Sequence, residues 1–116
     1  MILKYPRTPH LFGSALQPGD DGSDRMSIAA LRAAWPDADF ITEEKLDGAN
    51  CGISFSPDLD LLIQSRGHFL TGGAREGQFG PLKAWASCHE AVLLEILEDR
   101  FVMYGVWMHA RHTLFY

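Results

Sequence analysis

One lysine of this chain stands where covalent chemistry is conceivable. The run Glu44-Lys45-Leu46-Asp47-Gly48-Ala49-Asn50 sets an amine directly before an Asp-Gly pair, a strong turn signal. A lysine at the end of a strand, followed at once by a tight turn, is held by the sheet while its amine points into a cleft. Protonated amines are poor nucleophiles, so such a lysine needs burial or nearby cations before it can attack phosphorus. Lys-x-Asp-Gly alone is short, and an ordinary surface turn would explain it better. Two further segments change the balance. Gln64-Ser65-Arg66-Gly67 follows the next expected pair of strands, at a separation that lets it line the same cleft. Beyond it lies Tyr104-Gly105-Val106-Trp107-Met108-His109-Ala110-Arg111-His112.

Other residues invite chemistry and carry less. His109-x-x-His112 suggests a metal pair, yet no third ligand follows at a recognised spacing. His89 reads as packing on a helix face. Trp85, Tyr104 and Trp107 could stack on bases, but core packing explains them better. Cys51 has no evident His partner and reads as a small buried residue. Gly72-Gly73 lacks the Gly-Lys-Ser/Thr ending of a phosphate-binding loop. Arg75 and Lys83 read as solvated charge, with phosphate contact as the alternative.

The elements that must position these residues can be drafted from pattern. An extended opening through Pro6 and Pro9 precedes a loop at Pro18-Gly19-Asp20-Asp21-Gly22-Ser23. A short helix starting near Ser27 carries Ile28, Leu31 and Trp35 on one stripe and stops at Pro36. Phe40-Ile41-Thr42-Glu43-Glu44-Lys45 reads as the strand that delivers the lysine. Period-two alternation marks strands at 51–56 and 61–65, joined through Pro57-Asp58 as a hairpin or meander. Glycines 67, 72, 73, 77 and 80 make the middle loop-rich. Leu82, Trp85, Ala86, His89, Val92, Leu93, Ile96 and Leu97 then fall on one helical face, with Pro81 in the first turn. Residues 101–107 read as a buried strand, and Thr113-Leu114-Phe115-Tyr116 opens another apolar run. That last run suggests that more chain follows it, a natural end docked as a last strand being the alternative.

Size and charge bound the rest. With 116 residues and 47% hydrophobic content, the chain makes one domain with a real core. A net charge of −5 argues against a free-standing basic grip on nucleic acid, although a few local cations could still build a phosphate site. No apolar stretch reaches the ~18 residues of a membrane span, and the start lacks a signal-peptide core, so a cytoplasmic protein with reduced thiols is expected.

In order and spacing, Glu44-Lys45-x-Asp47-Gly48-x-Asn50, Ser65-Arg66-Gly67 and Tyr104-Gly105-Val106-Trp107 resemble the motifs of the covalent nucleotidyltransferases. More narrowly they are similar to the ATP-dependent RNA ligase family. The opening Lys4-Tyr5-Pro6-Arg7-Thr8-Pro9-His10-Leu11 and the run Arg75-Glu76-Gly77-Gln78-Phe79 carry the likeness over nearly all of residues 1–116. The resemblance implies an α+β fold, a mainly antiparallel sheet with flanking helices, forming the N-terminal portion of an ATP-grasp-like nucleotidyltransferase domain. It implies that Lys45 attacks the α-phosphate of ATP, that Asn50 sits near the phosphate, and that Arg66 contacts the ribose and the nucleic-acid end. Glu44 would lie on the adenine side, and Mg²⁺ would shield the triphosphate. AMP would then pass to an RNA 5′-phosphate, and a 3′-hydroxyl would displace it. Two departures stand out. Val106 occupies the place of the family's glutamate, and the family's later lysine strand does not occur in the sequence. A degenerate or truncated domain that binds nucleotide or RNA without catalysis is therefore the rival reading, and a DNA ligase or capping-type relative a third.

Overall fold

The computed structural model describes residues 2–13 and 25–108, and for 74 and 75 the backbone alone. The loop expected at 18–23, the His109-x-x-His112 pair, the apolar run at 113–116 and the side chain of Arg75 lie outside the described residues. The chain divides into two units, one of residues 6–44 and one comprising Met1–Tyr5 with Lys45–Tyr116.

In the 6–44 unit the backbones of His10 and Phe12 bond that of Met26, at 2.8 and 3.0 Å. Helix α1, Ile28–Ala34, begins where the Ser27 hydroxyl accepts from the Ala30 N–H at 3.0 Å, a serine N-cap. It ends at Ala34, with Trp35 as its C-cap directly before Pro36, as expected. Its apolar stripe is not a core, since no residue of α1 is buried and Ile28 and Trp35 are 59% and 55% exposed.

The other unit is built on strand β1, Ala49–Phe55, with β2, Leu61–Gln64, on one side and β3, Met103–Trp107, on the other, both antiparallel. Pairing of Phe55 with Leu61 and Ile53 with Ile63 makes β1–β2 the hairpin that alternation predicts. Side chains of a strand alternate between faces. Ile53, Phe55 and Ile63 pack with Leu82, Ala86, Leu93 and Leu97 of the helices and with Phe79, which together form the core. At about 1.5–3 kcal/mol per fully buried aliphatic or aromatic side chain, this layer of helix on sheet is what holds β1 in place. The α+β architecture with a mainly antiparallel sheet is as expected.

On the opposite face a different device operates. Gly52 pairs with both Gln64 and Tyr104, and having no side chain it lets Gln64 lie across it. Gln64 is 2% exposed, and its amide nitrogen donates to the Leu3 carbonyl at 2.8 Å. The Tyr104 hydroxyl donates to the same carbonyl at 2.7 Å, and its ring meets Tyr5 edge-on at 5.3 Å. The extended opening is thereby pinned to the sheet.

Four expectations need correction. Residues 40–45 form no strand. Both edges of β1 are already taken by β2 and β3, and Phe40 and Ile41 are 49% and 81% exposed, so no pairing or burial rewards an extended ladder there. The single helix expected across 82–97 is two, α2 at Gly80–Cys88 and α3 at Glu90–Leu97. They meet at His89, whose imidazole Nδ1 lies 2.8 Å from the Trp85 carbonyl and whose ring stacks on Trp85 at 4.7 Å. The His89 N–H still donates to the Trp85 carbonyl at 3.1 Å, but at φ −110° and ψ 15° the His89 backbone leaves helical geometry, so the exposed His89 and the 45%-exposed Trp85 mark the junction and are not core. Finally, β3 is no buried strand, because it lies at the sheet edge and leaves Met103 and Val106 exposed.

Candidate active site

After Gln64 the chain makes a small hairpin of its own. Phe69 bridges back to Gln64, the Leu70 N–H donates to the Ile63 carbonyl at 2.8 Å, and the Ser65 N–H donates to the His68 carbonyl at 2.9 Å. Arg66 and Gly67 are the two-residue tip. This places Arg66 in an open cleft of about 660 Å³ whose walls include Ala49 and Asn50 from β1, Ser65 and His68 from the hairpin, and Leu70, Glu76 and Phe79. The volume is within the ordinary range for small-molecule sites. Thus the structure brings Asn50 and Arg66 to one cleft. Both are exposed.

Lys45 is placed differently. It is exposed, it precedes a bend at Gly48, and it is not among the residues that line the cleft. The expectation that a strand holds it is not met. Glu44 is exposed and belongs to the 6–44 unit.

Val106 is the register partner of Asn50, so the two side chains share one face of the sheet. Val106 also meets Gly48, where an added Cβ would stand 2.6 Å from its Cγ1. Val106 is therefore next to the Gly48–Asn50 segment and presents only methyl groups there.

Three features of the cleft were not read from the sequence. The Ser65 hydroxyl lies 3.2 Å from the His68 Nδ1 and donates to the His68 carbonyl at 3.2 Å. Glu76, 12% exposed, accepts from Lys83 Nζ at 2.9 Å and from the Gly72 N–H at 2.9 Å. The Lys83 hydrogen bond first, and then those from the Gly72 and Thr71 backbone, hold its carboxyl below the usual value. Lys83 is accordingly an ion-pair partner and not solvated surface charge. The Trp107 indole N–H donates to the Gln78 carbonyl at 2.8 Å, tying β3 to the 3-10 helix Ala74–Phe79. Glu76 and Gln78 stand in the Arg75-to-Phe79 run, but their partners are set by the fold.

Cys51 is half-buried, with its thiol 3.6 Å from the Gly105 carbonyl, and burial pushes its pKa up. That suits the small packed residue expected and not a nucleophile. Among the described residues no three His, Cys, Asp or Glu side chains are grouped to hold a metal ion, and no helix is long and apolar enough to cross a membrane.

A sequence profile of the RNA ligase family matches residues 38–116, a span that includes Lys45, Asn50, Arg66 and Val106. No curated protein and no solved structure matches the chain. The match covers more than half of the sequence, and with the ordered motifs around the cleft it leads to one assignment: the chain belongs to the RNA ligase family.

Proposed function

We propose that this chain is the N-terminal portion of an ATP-dependent RNA ligase, acting through AMP carried on Lys45. The observation that carries this reading is the convergence of Asn50 and Arg66 on one cleft, with Asn50 two residues beyond the Lys45-Leu46-Asp47-Gly48 motif. The donor set fits a nucleotide. A guanidinium and an amide suit phosphate and ribose oxygens, while Leu70 and Phe79 give an apolar wall for a flat base. Glu44's place on the adenine side rests on the resemblance alone.

In the reaction, the Lys45 amine nitrogen bonds to the α-phosphorus as the bond to the β-phosphate oxygen breaks, so pyrophosphate leaves and the amine gives up a proton. Arg66 and Asn50 hold the phosphate and ribose oxygens in line, which is where most catalysis of phosphoryl transfer arises. Mg²⁺ shields triphosphate charge when bound, and with no carboxylate cluster among the described residues, phosphate oxygens and water would supply most of its ligands. AMP then moves to an RNA 5′-phosphate, and attack by a 3′-hydroxyl releases it. A cytoplasmic setting suits such a substrate.

Val106 opposite Asn50 supports a second reading, a domain that binds nucleotide or RNA but does not catalyse. Incubation with α-labelled ATP and Mg²⁺, followed by a denaturing gel, separates them. Label that survives denaturation and is lost in Lys45→Ala supports the ligase reading. Absence of label while ATP still binds supports the second.

A further inference from the structure

The segment pinned across the sheet ends in an aromatic ring that the fold leaves open. The Leu3 carbonyl is held by one side chain from each outer strand, the Gln64 amide at 2.8 Å and the Tyr104 hydroxyl at 2.7 Å. Both lie over Gly52, where a Cβ would stand 2.8 Å from Gln64 and 3.4 Å from Tyr104. Two residues on, Tyr5 meets Tyr104 edge-on, with ring centroids 5.3 Å apart and planes at 72°. Tyr5 is nevertheless 64% exposed. It is anchored and open at once, which neither a core residue nor a loose terminus would be.

The surroundings say what such a ring can take. Gly52 pairs with Tyr104 and Asn50 with Val106, so Tyr104 and Asn50 share one face of the sheet, two residues or about 7 Å apart along the strands. Asn50 also lines the cleft that Arg66 enters. The three strands carry no charged residue in a chain of net charge −5, and the pinned segment adds the exposed Lys4. No strand carboxylate therefore repels an anion from this face. A tyrosine offers a flat, apolar surface with only two side-chain torsions to fix, so stacking on it costs little ordering entropy. Single-stranded nucleic acid is held in this way, by bases stacked on aromatic rings beside groups that take its phosphates.

We propose that Tyr5 stacks the base of the terminal nucleotide of an RNA 5′-phosphate end, whose phosphate enters the cleft at Asn50 and Arg66. The partner rests on the ligase function proposed above, and the place of its base is new. Gln64 and Tyr104 are positioning residues, acting through Leu3 and Tyr5.

The test uses the full chain and a short single-stranded RNA with a 5′-phosphate and 2-aminopurine as its first base, a fluorophore that stacking quenches. Wild type is expected to quench it. Tyr5→Ala should leave the base bright and weaken binding roughly 5- to 150-fold, the loss of one stacked base. Tyr5→Phe and Tyr5→Trp should quench as wild type does. Tyr5→Leu keeps an apolar contact with Tyr104 but offers no ring, so it should behave as Tyr5→Ala does, with thermal unfolding followed beside it. Absence of quenching by wild type, or quenching by Tyr5→Leu equal to that by Tyr5→Phe, overturns the proposal. So does a Tyr5→Leu chain that binds the RNA normally but needs more ATP for half-maximal Lys45 labelling, since the ring would then serve the base of ATP.

The quenching needs no lysine labelling, so the two readings fail separately. Quenching that depends on the Tyr5 ring supports the stacking site even if Lys45 is never labelled. Labelling of Lys45 together with quenching that is indifferent to Tyr5 leaves the ligase reading standing and overturns the site.

Discussion

Gly48 is the residue where a single methyl group should do most damage. An added Cβ would stand 2.6 Å from Val106 Cγ1, 2.7 Å from the Trp107 carbonyl oxygen and 2.9 Å from Met108 Sδ. Val106 and Met108 can rotate away. The carbonyl belongs to β3, whose Trp107 pairs with Ala49, and it cannot retreat unless the β1–β3 ladder opens at that end. Overpacking of this kind costs about 1–3 kcal/mol. Reduced freedom of the unfolded chain returns about 0.4–1 kcal/mol. A net loss of about 1–2 kcal/mol lowers the melting temperature by roughly 4–10 °C for a domain near this size. The check is calorimetry of Gly48→Ala with Val106→Ala and the double variant beside it. Because Val106 is 44% exposed, its own truncation should cost little, and in the double variant it should relieve only part of the damage. A Gly48→Ala chain that melts within 1–2 °C of wild type, a margin well inside that expected loss, would mean that β1 and β3 do not close as described.

Two other predictions follow from the same site. Val106→Glu puts a carboxylate on the face shared with Asn50, and if the valine is what limits catalysis, lysine labelling should rise at least tenfold; unchanged labelling would place the limit elsewhere. Glu76 has a lowered pKa, first because of Lys83, so its contribution to stability is present above its ordinary value of 4.5 and fades as pH falls through its lower folded value. Melting curves of wild type and Glu76→Gln should therefore differ near neutrality and converge below about pH 4.5, whereas a constant difference would show that the carboxylate's charge is not what matters.

What could be read from the sequence was local. The Ser27 cap and Pro36 bound α1 because both act within a few residues. The β1–β2 hairpin showed as alternation because its inner residues meet one core. The break at His89 was hidden because apolar spacing continues through it, and the change lies in the backbone angles of one residue. Exposure of Trp85, Val92 and Ile96 was hidden for the same reason: periodicity shows where a stripe runs but not how wide a neighbour covers it. The Leu3 carbonyl is bonded by side chains 61 and 101 positions away, and no local pattern encodes such contacts. The cleft was legible in its two motif residues, Asn50 and Arg66, and illegible in Ser65–His68 and Glu76–Lys83, whose meaning depends on what folds beside them.

The placement of Lys45 bears on how the site would work. Asn50 is fixed by its pairing with Val106 of β3, and Arg66 by its hairpin. Lys45 has no strand ladder, and the five residues from it to Asn50 would span about 17 Å if fully extended. One lysine side chain does not bridge that distance, so the approach of the amine depends on how sharply the chain folds back at Gly48. Binding and chemistry are then carried by different parts of the motif. Loss of Arg66 should weaken ATP binding, whereas stiffening or displacing Gly48 should slow labelling even at saturating ATP. If both changes acted only on affinity, the bend at Gly48 would not be what brings the lysine to the phosphate.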